Sequence, residues 1–200
     1  MVKVTSHFED ESRIASRDSK AARLRVITGQ EIPTTLYTQL RRPLNRLFIV
    51  TPFLEDYEFF GKGPLSKFLS KQLTEGTKIS MLTVPPEGIN GTKKAFERKY
   101  RLTSLLWSRG VDISFNSKLH AKVFLFDESE VTKATILGSA NLTTAAMNVR
   151  LEIAIFTHNR GVFNEILSIV RRFEKDSGTM TFAKWRAKAA SKIKSIMEVH

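Results

Sequence analysis

His120 and Lys122 stand two residues apart at the head of an apolar run, "KLHAKVFLFD", 118–127. In an extended chain residues i and i+2 project from one face. The spacing therefore predicts an imidazole and an ammonium side by side on a strand that otherwise reads as core. Burying both without partners is costly, so either that face is open or an anion sits there. Asp127 closes the run. Further on, "TKATILGSANLTTAAMN" puts Gly138, Ser139 and Asn141 at the end of the next apolar strand, where small residues let a ligand approach the backbone. "LTTAA" then reads as the opening of a helix whose free N–H groups favour an anion. Glu152 is second in the strand "LEIAIF". A lone carboxylate in such a place wants a partner, and a histidine suits it, because a carboxylate fixes the imidazole tautomer and raises its basicity.

These groups need a scaffold, and the patterning supplies one. "ARLRVIT", "RLFIVTPFL", "KISMLTV", "VDISF", "LHAKVFLF", "KATILG" and "LEIAIF" read as strands. "PLSKFLSKQLTEGT", "TKKAFERKYRLTSLLWSRG" and "GVFNEILSIVRRFEK" read as helices, the first two stopped by Gly76 and Gly110. Strands alternating with helices predict an α/β fold, and near-continuous apolar strands predict a mixed sheet flanked by helices on both faces. Beyond Gly178, "TMTFAKWRAKAASKIKSIM" reads as one basic amphipathic helix with Phe182, Trp185, Ala189, Ile193 and Ile196 on its apolar side. The preferred reading docks it on the body or on a second subunit. A nucleic-acid arm or a membrane-surface helix are the alternatives.

Composition narrows the chemistry. The 200 residues contain no cysteine, which excludes disulfides, a thiol nucleophile and cysteine metal sites. The four histidines, His7, His120, His158 and His200, lie far apart, so no histidine-rich metal site is expected. The formal net charge of +12 favours a polyanionic partner. No apolar run reaches the length of a membrane span, and the first twenty residues carry no leader-like apolar stretch, so a cytoplasmic location is expected.

The order His120, Lys122, Asp127, then Gly138, Ser139, Asn141, then Glu152 resembles the HKD signature of the phospholipase D superfamily. "LGSANLT" resembles that family's second box, and the polar stretch between Asp127 and Gly138 reads as a lengthened hairpin turn. The resemblance implies a phospholipase D-like domain over 26–177, with a polar arm at 1–25 and the basic helix at 178–200. It implies that His120 attacks phosphorus to form a covalent phosphohistidine. A second histidine protonates the leaving oxygen and then activates water. Lys122 and Asn141 hold the non-bridging oxygens, Ser139 adds a hydrogen bond, Glu152 orients the nucleophile, and Asp127 and Gly138 are structural. No metal or other cofactor is implied.

The chain carries one copy of the signature, whereas the implied chemistry needs two histidines. A two-fold homodimer with one shared site meets that need. Among phosphodiesters, charge and short single-copy layout favour nucleic acid, DNA first and RNA second. Lys94, Arg98 and Arg101 fall on one face of the 93–109 helix, with Phe96, Tyr100 and Trp107 opposite. Lys62, between Gly61 and Gly63, and Lys118 complete the expected phosphate contacts. The alternatives are a lipid hydrolase or transferase that uses the Phe182–Trp185 tail as its membrane-surface element, and a nucleic-acid-binding or nuclease subunit that works with an accessory protein.

Overall fold

The computed structural model describes residues 24–54, 64–86, 92–148 and 151–197. Lys62 and most of the expected N-terminal arm lie outside them. The strands are β1 (Arg25–Thr28), β2 (Arg46–Val50), β3 (Lys78–Thr83), β4 (Asp112–Asn116), β5 (Val123–Asp127), β6 (Lys133–Gly138), β7 (Ile153–Thr157) and β8 (Thr179–Thr181). The helices are α1 (Glu31–Leu40), α2 (Pro64–Thr74), α3 (Lys93–Ser108), α4 (Thr144–Asn148), α5 (Arg160–Lys175), α6 (Phe182–Lys188) and α7 (Ala190–Met197).

The strands form one mixed sheet in the order β1-β7-β6-β5-β2-β3-β4-β8. β2, β3 and β4 run parallel, as they must when helices α2 and α3 carry the chain back between them. All other pairings are antiparallel. Alternation along each strand splits the core in two. Leu47, Ile49, Ile79, Met81, Ile113, Phe124, Phe126 and Ile136 face one side, under α1, α2, α3, α4 and α6. Phe48, Val50, Leu82, Val123 and Leu125 face the other, under Phe163 and Val170 of α5. Helices thus flank both faces, as the near-continuous apolar strands predict.

Three sequence expectations are corrected. Residues 179–197 are not one helix. Thr179–Thr181 extends the sheet antiparallel to β4, Thr181 caps α6 at the Lys184 N–H, and the helix breaks at Ala189. An uncovered β4 edge with a β-branched Thr-Met-Thr segment beside it explains the strand. The membrane-surface alternative for this tail also falls. Phe182 and Trp185 are 1% and 6% exposed, packed on Phe115 at ring distances of 5.9 and 5.1 Å. Lastly, the buried stripe of α3 is Phe96, Lys99, Leu102, Thr103 and Leu106, while Trp107 is 43% exposed.

Candidate active site

The expected catalytic residues meet at one rim of the sheet, where β2 ends, β5 begins, β6 ends and β7 begins. Val50 pairs with Val123, and Gly138 with Ala154, at the ends of their ladders. His120 and Lys122 precede β5 rather than lying within it. They still converge. Lys122 Nζ donates to the His120 carbonyl at 2.8 Å and lies 3.2 Å from His120 Nδ1. His120 is exposed, whereas Lys122 is only 8% exposed. An ammonium can only donate, so Nδ1 is the acceptor, and a neutral ring then carries its proton on Nε2.

The second cluster is held by backbone geometry. The Gly138 N–H reaches the Lys122 carbonyl at 3.2 Å, tying the end of β6 to the segment before β5. A Cβ on Gly138 would stand 2.4 Å from the Ile153 carbonyl oxygen and 2.5 Å from Ala154 Cβ, so no other residue fits without displacing β7. Ser139 pairs with Ile153 through its own N–H at 3.0 Å, and its hydroxyl accepts the Ile153 N–H at 3.1 Å. The same hydroxyl donates to the Glu152 carboxylate. The Glu152 carboxylate is therefore engaged by Ser139, and no bond from it to His120 is present among the described residues. The expected histidine–carboxylate pair gives way to the nearer hydroxyl, one step across the ladder.

Asn141 is placed by a residue that the sequence reading passed over. Thr51, at the end of β2, has its hydroxyl 3.5 Å from Asn141 Oδ1 and 3.1 Å from the Phe53 carbonyl, and accepts the Leu142 N–H at 3.4 Å. Its position just before Pro52 is the only signal a sequence offers. At the start of the short α4 the Thr143 hydroxyl accepts the Ala146 N–H at 3.2 Å. Asp127 is ion-paired with Lys133 across the β5–β6 ladder, at the far end of β5 from Lys122. His158 also lies at that far end, with Nδ1 3.0 Å from the Lys133 carbonyl. Lys133 is five residues from Gly138, roughly 17 Å along the strand, so His158 does not reach the site. Lys94, Arg98 and Arg101 are exposed on α3, and Lys118 is exposed in the loop leading to His120. α3 starts near the catalytic rim and runs away from it, which carries Arg101 about 10 Å beyond Lys94. Among the described residues no group of three or more His, Asp or Glu side chains is arranged to hold a metal ion.

Lys99, also unforeseen, is 2% exposed inside α3's buried stripe. Its ammonium donates to the Pro52 carbonyl at 2.9 Å and the Thr83 hydroxyl at 3.2 Å. Burial lowers its pKa from 10.5 to about 7. A base whose folded pKa lies below its unfolded value binds fewer protons when folded, so stability rises with pH between the two values. Burial of Lys99 is thus most costly below about pH 7 and relieved toward 10.5. Denaturation of wild type and Lys99→Met at pH 7 and 9 is expected to show wild type gaining about 2 kcal/mol relative to the variant.

Beyond the rim, one sheet surface is open. Val26, Ile153 and Ile155 share the face that α5 covers elsewhere, and are 60%, 57% and 39% exposed. Leu24 and Leu151, also exposed, flank them. No described helix is long and apolar enough to cross a membrane.

The family described as "cardiolipin synthase, PLD-like domain" matches residues 19–176. No curated protein matches the chain by sequence. Among solved structures, the chain is similar to the phospholipase D family member Nuc from Salmonella typhimurium. That likeness has a TM-score of 0.61 at 12% identity, over 80% of this chain and 99% of that one. NucT from Helicobacter pylori gives 0.56 at 12% identity, over 80% and 100%. Phosphatidylserine synthase from Haemophilus influenzae gives 0.58 at 13% identity, over 86% and 46%. At these identities the likeness is one of fold.

Proposed function

The chain belongs to the phospholipase D superfamily, and from that premise we propose that it is a metal-independent phosphodiesterase acting on nucleic acid, DNA foremost, from a homodimeric site. The observation that carries the reading is Lys122. Its nearly buried ammonium has no carboxylate partner among the described residues and lies beside an exposed imidazole, on a rim that also carries Asn141. An ammonium so placed is matched by an anion, and a phosphodiester supplies one. A bound phosphate draws the ammonium from His120 Nδ1, so the ring proton can move there and leave the Nε2 lone pair for attack. His120 Nε2 then forms the P–N bond as the P–O bond to the leaving group breaks, and a second histidine gives that oxygen its proton. Water, deprotonated by the same second histidine, attacks phosphorus and releases His120. Lys122 and the Asn141 amide hold the non-bridging oxygens throughout. Ser139 fixes Glu152 at the edge of the site.

The second histidine comes from a second chain in this reading. The exposed Val26, Ile153 and Ile155 face adjoins Glu152 and Ser139, and in this reading it is the surface that meets the second chain. Wild type is expected to sediment as a dimer. Ile153→Asp combined with Ile155→Asp is expected to give a folded, inactive monomer, judged by sedimentation and circular dichroism. A variant that stays dimeric removes the interface from this face, and a monomer that keeps activity sinks the shared site.

The net charge of +12 favours nucleic acid. A lipid substrate is the second reading, favoured by the family's description and by the likeness to phosphatidylserine synthase. Cleavage in excess EDTA decides, with single-stranded DNA, duplex DNA, RNA, phospholipid vesicles and bis(4-nitrophenyl) phosphate offered in parallel. The expected result is nucleic-acid cleavage that persists in EDTA and falls steeply between 50 and 200 mM salt. Cleavage of vesicles alone selects the lipid reading. Abolition by EDTA with recovery in magnesium overturns the mechanism.

A further inference from the structure

We propose that Lys99 is a positioning residue of this site, clamping from behind the strand exit on which Asn141 rests; the proposal deepens the phosphodiesterase reading and rests on it. The Pro52 carbonyl receives two donors, Lys99 Nζ at 2.9 Å and the Thr83 hydroxyl at 3.3 Å, and Lys99 also donates to that hydroxyl at 3.2 Å. Thr83 and Pro52 stand at the adjacent ends of parallel β3 and β2, so the ammonium ties the two strand ends together. On either side of the held carbonyl are the groups that set the Asn141 loop. Thr51 lies against Asn141 Oδ1 and takes the Leu142 N–H, and Leu54 bridges Leu142. With Oδ1 turned to Thr51, the amide donors of Asn141 are left for a phosphate oxygen.

Stability does not account for a lysine here. An apolar side chain of similar volume would fill the stripe between Phe96 and Leu102 without desolvating a charge. A donor that can bind a carbonyl and a hydroxyl together does account for it. Among the described residues the groups around it are uncharged. β2 presents Thr51 and Pro52, β3 presents Thr83, and the positions on the same face of α3 are Ala95, Phe96, Leu102 and Thr103. The titratable groups of the neighbouring rim are His120 and Lys122, before β5 on the other side of β2, and Glu152, held by Ser139 at the start of β7. Burial is accordingly the one cause of the altered titration of Lys99.

The test has two arms. In the first, Lys99→Met is assayed on bis(4-nitrophenyl) phosphate. The expected result is a fall in kcat of about tenfold or more with KM changed less than about threefold, since misplaced donors are felt most in the transition state. The second arm needs no activity. Amide spectra are followed from pH 6 to 9 in a His120→Ala background, which removes the active-site imidazole. The Leu142 amide is expected to step near pH 7, as Lys99 titrates, and to lose that step when Lys99→Met is added. A folded Lys99→Met with full kcat overturns the proposal, as does a Leu142 amide that does not move. Should Lys99→Met fail to fold, the Leu142 step in His120→Ala alone carries the decision. A wild type that cuts no phosphodiester but shows the Lys99-dependent step supports the clamp and overturns the reading of the site instead.

Discussion

His120→Ala is expected to lower phosphodiester cleavage by at least about a thousandfold, the largest effect of any single change in this chain, because it removes a covalent nucleophile. His120 is exposed and, among the described residues, its ring accepts only from Lys122, so the variant leaves the core intact. In a shared site the same change also deletes the partner's acid–base group, and one substitution removes two roles. Mixing tests that point directly. Equal amounts of wild-type and His120→Ala chains, allowed to exchange, leave about a quarter of the dimers with both histidines. Activity should follow that fraction. Loss in direct proportion to the wild-type share would instead mean that each chain works alone, and the second histidine would have to be sought in the same chain.

The next largest effect is expected from Lys122→Met, a drop in kcat of about a hundredfold to a thousandfold, the usual range for losing one preorganised donor to a developing oxyanion. Loss of fold does not explain such a drop, since burying an ammonium without a carboxylate opposes folding. The Met side chain keeps most of the volume, and the only described bonds lost are those to the His120 carbonyl and ring. Denaturation of the variant should therefore show stability equal to or above wild type, while cleavage of bis(4-nitrophenyl) phosphate collapses. A Lys122→Met enzyme within tenfold of wild type would remove the lysine from the chemistry and assign it to the fold. Full activity in Lys122→Arg would be equally damaging, because the larger planar guanidinium does not replace a compact ammonium in a closed space.

How much of this was legible before the fold is clearest residue by residue. His120, Lys122, Gly138, Ser139, Asn141 and Glu152 lie within thirty-three consecutive positions of two hairpins. Their order is recorded in the chain, and antiparallel neighbours bring them to one rim with little help from elsewhere. The strands β2 to β7 were equally plain, because β-branched and aromatic runs bounded by Gly and Pro depend on local pattern. α1 was missed. Pro33 in its first turn obscures a helix whose Ile32, Leu36 and Leu40 are buried against the sheet.

What lay beyond local pattern was partner choice over long separations. Glu152 appeared matched to a histidine by type, but the pairing of Ser139 with Ile153 set a hydroxyl against it first. Docking of Phe182 and Trp185 on the body was the preferred expectation, but the edge strand Thr179–Thr181 beside β4, which carries both rings onto Phe115, had no local signal strong enough to separate it from the helix. Lys99 appeared as one more cation in a basic segment, and only the packing of α3 beneath the ends of β2 and β3 turned it inward onto Pro52. Residue type and spacing determine which groups are able to react. Which of them meet, and in what dielectric, depends on contacts between segments dozens of residues apart, and those exist only once the sheet has closed over its two cores.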